Sequence, residues 1–135
     1  MVRMQVAYNA SKKCVATHQE GHRVPTDAPK DIGGDASAFS PTDLVGAALA
    51  SCILTTIGMF AERHGLDLTG MRAEVSKEMS ASPRRIGRLP VLVTLPARVP
   101  DEMRPVLEKV GRTCPVHASL HPDIDAPIEY RYETE

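Results

Sequence analysis

The sequence predicts an α+β fold with a largely antiparallel sheet, and three observations carry that expectation. Residues near both ends alternate apolar and polar side chains with a period of two, as half-buried strands do. Residues 44–60 carry no charge and read as one long helix. Short apolar runs separated by Pro, Ser and Gly follow that helix and read as further strands. The 135 residues fit one domain, 1–135, large enough to bury a workable core.

The first strand is expected where Val2, Met4, Val6 and Tyr8 alternate with Arg3, Gln5 and Ala7. Asn9-Ala10-Ser11 supplies a turn, and residues 13–19 return as a second strand of a hairpin. Residues 20–39 lack periodicity and contain Pro25, Pro29, Gly33 and Gly34, so they are expected to be mainly loop. The helix then opens sharply. Ser40 is a good N-cap, Pro41 suits the first helical position, and Asp43 completes a capping-box variant. Gly65 supplies the stop. The first half of this helix is apolar nearly all round, which implies burial on all sides, and a domain of this size cannot surround it without a partner subunit.

Downstream, Met71, Ala73, Val75 and Met79 define one strand and residues 91–95 another, with Ser82-Pro83 and Gly87 marking the hairpin between them. Residues 101–111 form an amphipathic helix with Met103, Val106, Leu107 and Val110 on one face and Pro105 in its first turn. A short helix opens at Thr113-Cys114-Pro115 and ends near His121-Pro122. Ile128, Tyr130 and Tyr132 alternate with Glu129, Arg131 and Glu133 in the last strand.

Composition excludes several functions. The net charge is −1, the sixteen Lys and Arg are scattered, and the cluster Arg84, Arg85 and Arg88 lies in a turn-forming stretch, so no nucleic-acid partner is expected. The absence of Trp leaves few platforms for stacking bases or sugars. The N-terminus lacks an unbroken apolar signal segment. The uncharged helix is slightly short for a membrane span and is diluted by Gly46, Ser51, Thr55, Thr56 and Gly58, so no membrane partner is expected. Three cysteines do not make a secreted disulfide framework, which points to a reducing, cytoplasmic setting and a transient, catalytic disulfide.

The chemistry centres on Cys52 and Cys114. Cys52, mid-helix, reads from position alone as a small core hydrophobe. Cys114 begins a helix that Thr113 can cap, feels the positive end of the dipole, and has His117 three residues on, so local sequence makes it the more acidic thiol. Cys14, in a strand, reads as structural. Cys114 and His117 with Cys52 or His22 could offer mixed zinc ligands. Structural zinc sites, however, show two closely spaced pairs and this chain has one, so neither metal nor cofactor is expected.

The segments Ser40-Pro41-Thr42-Asp43-Leu44 and Ala47-Ala48-Leu49-Ala50-Ser51-Cys52, Gly33-Gly34 before them, and Cys114-Pro115-Val116-His117 after them together resemble the OsmC/Ohr family. The resemblance spans nearly the whole chain. It implies an OsmC-like fold, with curved antiparallel sheets around long central helices in an intertwined homodimer. It implies that Cys52 is peroxidatic and Cys114 resolving in a thiol-dependent peroxidase for organic hydroperoxides, regenerated by a thiol or lipoyl-type reductant. The pocket should then be apolar and lined by Leu49, Ile53 and the loop before the helix. The family's peroxidases have Glu after the helix-opening Pro, where this chain has Thr42 with Asp43 next to it. They also hold the thiolate with an Arg from the N-terminal strands. Here residues 11–17 offer Lys12 and Lys13, and Arg23 is the candidate replacement. The alternative reading is a divergent OsmC-like stress or small-molecule-binding protein with little or no turnover.

Overall fold

In a computed structural model describing all residues 1–135, the chain forms two compact units, residues 1–45 and 46–135. The first holds a three-stranded antiparallel sheet in the order β1 (Met4–Ala10), β2 (Lys13–His18), β3 (Arg23–Thr26). Register runs from Met4 opposite His18 to Tyr8 opposite Cys14, with a bulge between Tyr8 and Ala10. The hairpin tip is tight: Ala10, Ser11 and Lys12 all have positive φ, and the Lys12 amide donates to Tyr8 Oη at 3.2 Å. β3 and a 3-10 turn at Lys30–Ile32 fall in the stretch expected to be loop. β3 escapes sequence reading because it contains Pro25, has no alternation, and is mostly exposed.

The rest of that stretch is organised by a buried carboxylate. Asp27 is 1% exposed and accepts hydrogen bonds from the Ser37 hydroxyl (2.7 Å), the Ser37 amide (3.0 Å) and the Ala28 amide (2.8 Å). Lys13 Nζ stands 3.6 Å from Asp27 and 2.6 Å from Asp35. The Ser37 bonds, more than the lysine, hold the Asp27 carboxyl down to about 2. Gly33 takes a positive φ, and a Cβ on Gly34 would run into the Ala28 carbonyl, so the Gly-Gly pair is what lets the loop fold over.

The long helix α1 spans Pro41–Arg63. Its capping box forms reciprocally: the Asp43 amide donates to Ser40 Oγ (3.1 Å) and the Ser40 amide to Asp43 Oδ2 (2.9 Å). Gly46, Leu49, Ala50, Ile53, Ile57 and Ala61 are buried, a single stripe at helical spacing. Burial on every side, expected from the apolar composition, is not achieved within one chain: Ala48, Ser51, Thr55 and Met59 are exposed. By length and composition α1 could cross a membrane, and within this single chain 33% of its most apolar stretch is buried.

In the second unit, β4 (Arg72–Val75), β7 (Val91–Leu95) and β8 (Ile128–Tyr132) form a sheet in the order β4-β7-β8. β4 and β7 are antiparallel, but β7 and β8 run parallel. A parallel neighbour needs a long crossover. It is provided by a 3-10 turn at Asp101–Met103, α2 (Arg104–Gly111) and α3 (Pro115–Ser119). The strand expected to run through Met79 is split in two. β5 (Glu78–Ser80) turns at Ser82-Pro83 and pairs with β6 (Arg85–Arg88) in a separate ribbon, so the expected hairpin joins β5 to β6 rather than β4 to β7. Arg88 braces it, pairing with Glu78 and Asp125, each at 2.9 Å.

The core joins Leu49, Ile53 and Ile57 of α1 to Val91, Val93 and Leu95 of β7, with Leu89 and Leu107. α2 is locked to β8 through Tyr130 Oη donating to the Glu108 carbonyl (2.9 Å) and Tyr132 Oη to Glu108 Oε2 (2.8 Å). Gly111 closes the gap: a Cβ there would overlap Tyr130 Oη and press on Ile57 Cδ1. Gly111→Ala should therefore cost about 1–3 kcal/mol of stability by overpacking, read as a lower midpoint in urea unfolding. Pairing it with Tyr130→Phe should recover part of that loss. An unchanged midpoint for Gly111→Ala would contradict this packing.

Candidate functional site: two thiols between α1 and α3

Cys52 lies on α1 one residue before the buried Ile53, which leaves its side chain at the margin of the buried stripe and half-buried. Cys114 is the N-cap residue of α3 and is completely buried. All three cysteines are free thiols.

The fold brings Cys52 and Cys114 close enough for each thiol to act on the other's acidity. The first turn of α3 adds backbone donors that have no partner within a helix. The Val116 amide reaches both sulfurs and the His117 amide reaches Cys114. Within α1, Thr56 Oγ1 lies 4.0 Å from Cys52 Sγ and donates to the Cys52 carbonyl at 2.7 Å.

These contacts split the two acidities. Burial raises the Cys52 thiol, but the bonds from Cys114, Val116 and Thr56 together outweigh it and leave Cys52 below its ordinary value. Burial raises Cys114, and its role as donor to Cys52 raises it further. This reverses the local-sequence expectation that Cys114 is the more acidic. The amides of the α3 turn do lower Cys114, but its complete burial outweighs them.

α3 is fixed differently from the expectation as well. Thr113 does not cap it. Its hydroxyl donates backward to the Val110 carbonyl at 2.7 Å, closing α2. His117 does not turn its ring to the thiol; Nε2 bonds the Ala126 carbonyl at 3.0 Å and so ties α3 to the segment entering β8. Ser119 Oγ donates to the Pro115 carbonyl at 2.8 Å. α3 ends at Ser119, with Leu120 as its C-cap just before His121-Pro122.

The candidate cations lie in the first unit. Arg23 opens β3 opposite Thr17 and is exposed. Lys13 is engaged by Asp35 and Asp27. Lys12 sits at the strained hairpin tip. Cys14 pairs in register with Tyr8 and Thr26 in the middle of β2. Leu49 and Ile53, expected to line a pocket, are fully buried in the core and do not meet solvent. The apolar depression beside the start of α1 is instead formed by Val24, Pro25, Ala38, Phe39 and Leu44, with a volume near 390 Å³. No group of three or more His, Cys, Asp or Glu side chains is arranged to hold a metal ion. Thr56 and the Val116 amide were missed by sequence reasoning. The i, i+4 relation of Thr56 to Cys52 was available as a signal.

Fold and site together define an α+β protein with a paired-thiol centre. The family model for OsmC-like proteins matches residues 34–129, and the chain belongs to that family. A crystal structure of a proposed osmotic stress induced and detoxification response protein from Psychrobacter arcticus 273-4 is 38% identical, with a TM-score of 0.92 over 97% of this chain and 96% of that one. At 16% identity, the fold is shared with an OsmC-like protein from Mycoplasma pneumoniae (TM-score 0.83, 99% of this chain and 98% of that). It is also shared with the organic hydroperoxide resistance protein OhrB of Bacillus subtilis (TM-score 0.68, 97% and 98%, 16% identity). No curated protein sequence matches the chain closely.

The split acidities have a direct readout. Alkylation by iodoacetamide, followed peptide by peptide, should show Cys52 titrating below the ordinary thiol range of about 8.5 and Cys114 above it. Cys114→Ala removes the donor and should move the Cys52 midpoint upward. Equal midpoints, or Cys114 reacting first at low pH, would contradict the assignment.

Proposed function

We propose that this protein is a thiol-dependent peroxidase for organic hydroperoxides, with Cys52 as the attacking and Cys114 as the resolving thiol. One observation carries the reading: a half-buried Cys52 beside a fully buried Cys114, a pairing that lowers the Cys52 thiol and raises Cys114. The thiolate is the nucleophilic form, so the thiol that ionises first and meets solvent is the one to attack. Cys52 thiolate attacks the O–O bond, forms Cys52 sulfenic acid and expels alkoxide, which takes a proton to leave as alcohol. Cys114 then attacks the sulfenic sulfur, releasing water and forming the Cys52–Cys114 disulfide. An external thiol or lipoyl-type dithiol supplies two electrons and two protons to restore both thiols. Such a cycle suits a reducing cytoplasmic setting. The name of the Bacillus subtilis neighbour supports the same substrate class.

Cys52→Ser should abolish consumption of cumene hydroperoxide. Cys114→Ser should spare the first oxidation, block the disulfide and drive Cys52 to sulfinic acid under excess peroxide, read by mass spectrometry. Arg23→Ala should slow the first step if Arg23 is the family's missing cation. Wild-type turnover by Cys52→Ser would overturn the assignment.

The second reading, an OsmC-like stress or small-molecule-binding protein without fast turnover, is favoured by one feature: every group that acidifies Cys52 is neutral. A wild type that reacts with peroxide no faster than free cysteine would select it.

We further propose a homodimer. Met4, Val6 and Tyr8 project largely exposed from β1, and the face of α1 bearing Ala48 and Met59 is uncovered. A monomer leaving that much apolar surface open is unusual. Sedimentation at micromolar concentration should give twice the 14.7 kDa chain mass, and a folded 14.7 kDa species would defeat the proposal.

A further inference from the structure

Threonine is a poor residue for the middle of a helix, because its branched side chain restricts χ1 and its hydroxyl competes for backbone partners. Thr56 nevertheless occupies the position one turn after Cys52, half-buried, on the same helix face as the thiol. Its hydroxyl donates to the carbonyl of Cys52 itself at 2.7 Å, and the same oxygen stands 4.0 Å from Cys52 Sγ. One oxygen therefore addresses both the backbone and the thiol of a single residue.

We propose that Thr56 is the positioning residue of the attacking thiol, a hydroxyl that re-aims its one proton from the Cys52 carbonyl to Cys52 Sγ when the thiol ionises. In the protonated state, Sγ–H can point to Thr56 Oγ1 while the hydroxyl proton points to the carbonyl. When the Cys52 proton leaves to solvent, the hydroxyl rotates and turns its proton to the sulfur 4.0 Å away, where the thiolate's charge favours it over the neutral carbonyl. The carbonyl is not orphaned, since it keeps the helical bond from the Thr56 amide. The rotation turns about Cβ–Oγ1 and leaves the staggered χ1 untouched. Thr56 on α1 thus acts on the same sulfur as Cys114 and Val116 of the α3 turn. The titratable group that acts on Cys52 from the packed elements is Cys114, and no charged side chain contributes to that contact set.

This assignment rests on Cys52 as the attacking thiol, and its test does not depend on peroxide turnover. Thr56→Val keeps the shape and removes the hydroxyl, and Thr56→Ser keeps the hydroxyl. Cys52 alkylation by iodoacetamide is followed against pH by peptide mass spectrometry in the intact protein. Thr56→Val should raise the Cys52 midpoint by about half a unit or more, a roughly three-fold loss of rate well below the midpoint, and the rate should recover at high pH. Thr56→Ser should restore the wild-type profile. The Cys114 profile should stay in place under both substitutions. A Thr56→Val profile that overlays the wild type would overturn the proposal. So would a rate loss that persists at high pH, the mark of mere structural damage. So would a Thr56→Ser profile that tracks Val, and this variant remains decisive if Thr56→Val does not fold. If the pH shift is found while cumene hydroperoxide is not consumed, the positioning role stands and the peroxidase reading falls.

Discussion

The constraint on which the proposed chemistry depends is the proximity of two thiols that keep unequal amounts of water. Cys114 is sealed from solvent and Cys52 is not, so desolvation weighs more heavily against an anion on Cys114. The proton settles on the buried sulfur and is shared toward the exposed one. Neither thiol alone would behave this way. Cys52 without its partner loses the first of the contacts that lower it, and Cys114 without its partner is a buried core thiol.

The fold serves this contact from several directions. α1 buries the stripe through Leu49 and Ile53 in the core, which leaves Cys52 at the margin of that stripe. The parallel placement of β8 beside β7 forces a crossover, and the crossover carries α3 back to α1. His117, bound to the Ala126 carbonyl, holds α3 by its far side, so the α3 amides stay aimed at sulfur. Gly111 permits α2 to sit close to Tyr130 and Ile57, linking the crossover to both β8 and α1.

Much of the scaffold was legible in the sequence. The Ser40/Asp43 box, the long helix with its stop before Gly65, and the alternation in β8 are local signals that the fold obeys, whereas β1 forms a strand where expected but is exposed along its whole length rather than half-buried. What failed was non-local. The partner of a short strand is chosen by the whole sheet, so nothing around Met79 or Ile128 announced that β5 would leave the main sheet or that β8 would run parallel. β3 was hidden by Pro25 and by its exposure. Asp27, which organises the loop before α1, looked like any loop acid because its partners Ser37 and Lys13 are far from it in sequence. At the site, the identities of Cys52 and Cys114 came through motif resemblance. Their order of acidity did not, because it depends on how much water each sulfur keeps.

The account stands or falls on whether these two thiols form one redox pair, so the most direct test is the cross-link they make. After brief treatment of the reduced protein with one equivalent of organic hydroperoxide, non-reducing peptide mapping should recover Cys52 joined to Cys114 as the dominant disulfide. Cys14 should remain a free thiol. A dominant disulfide through Cys14, or sulfenic acid at Cys52 that never resolves onto Cys114, would contradict the pairing.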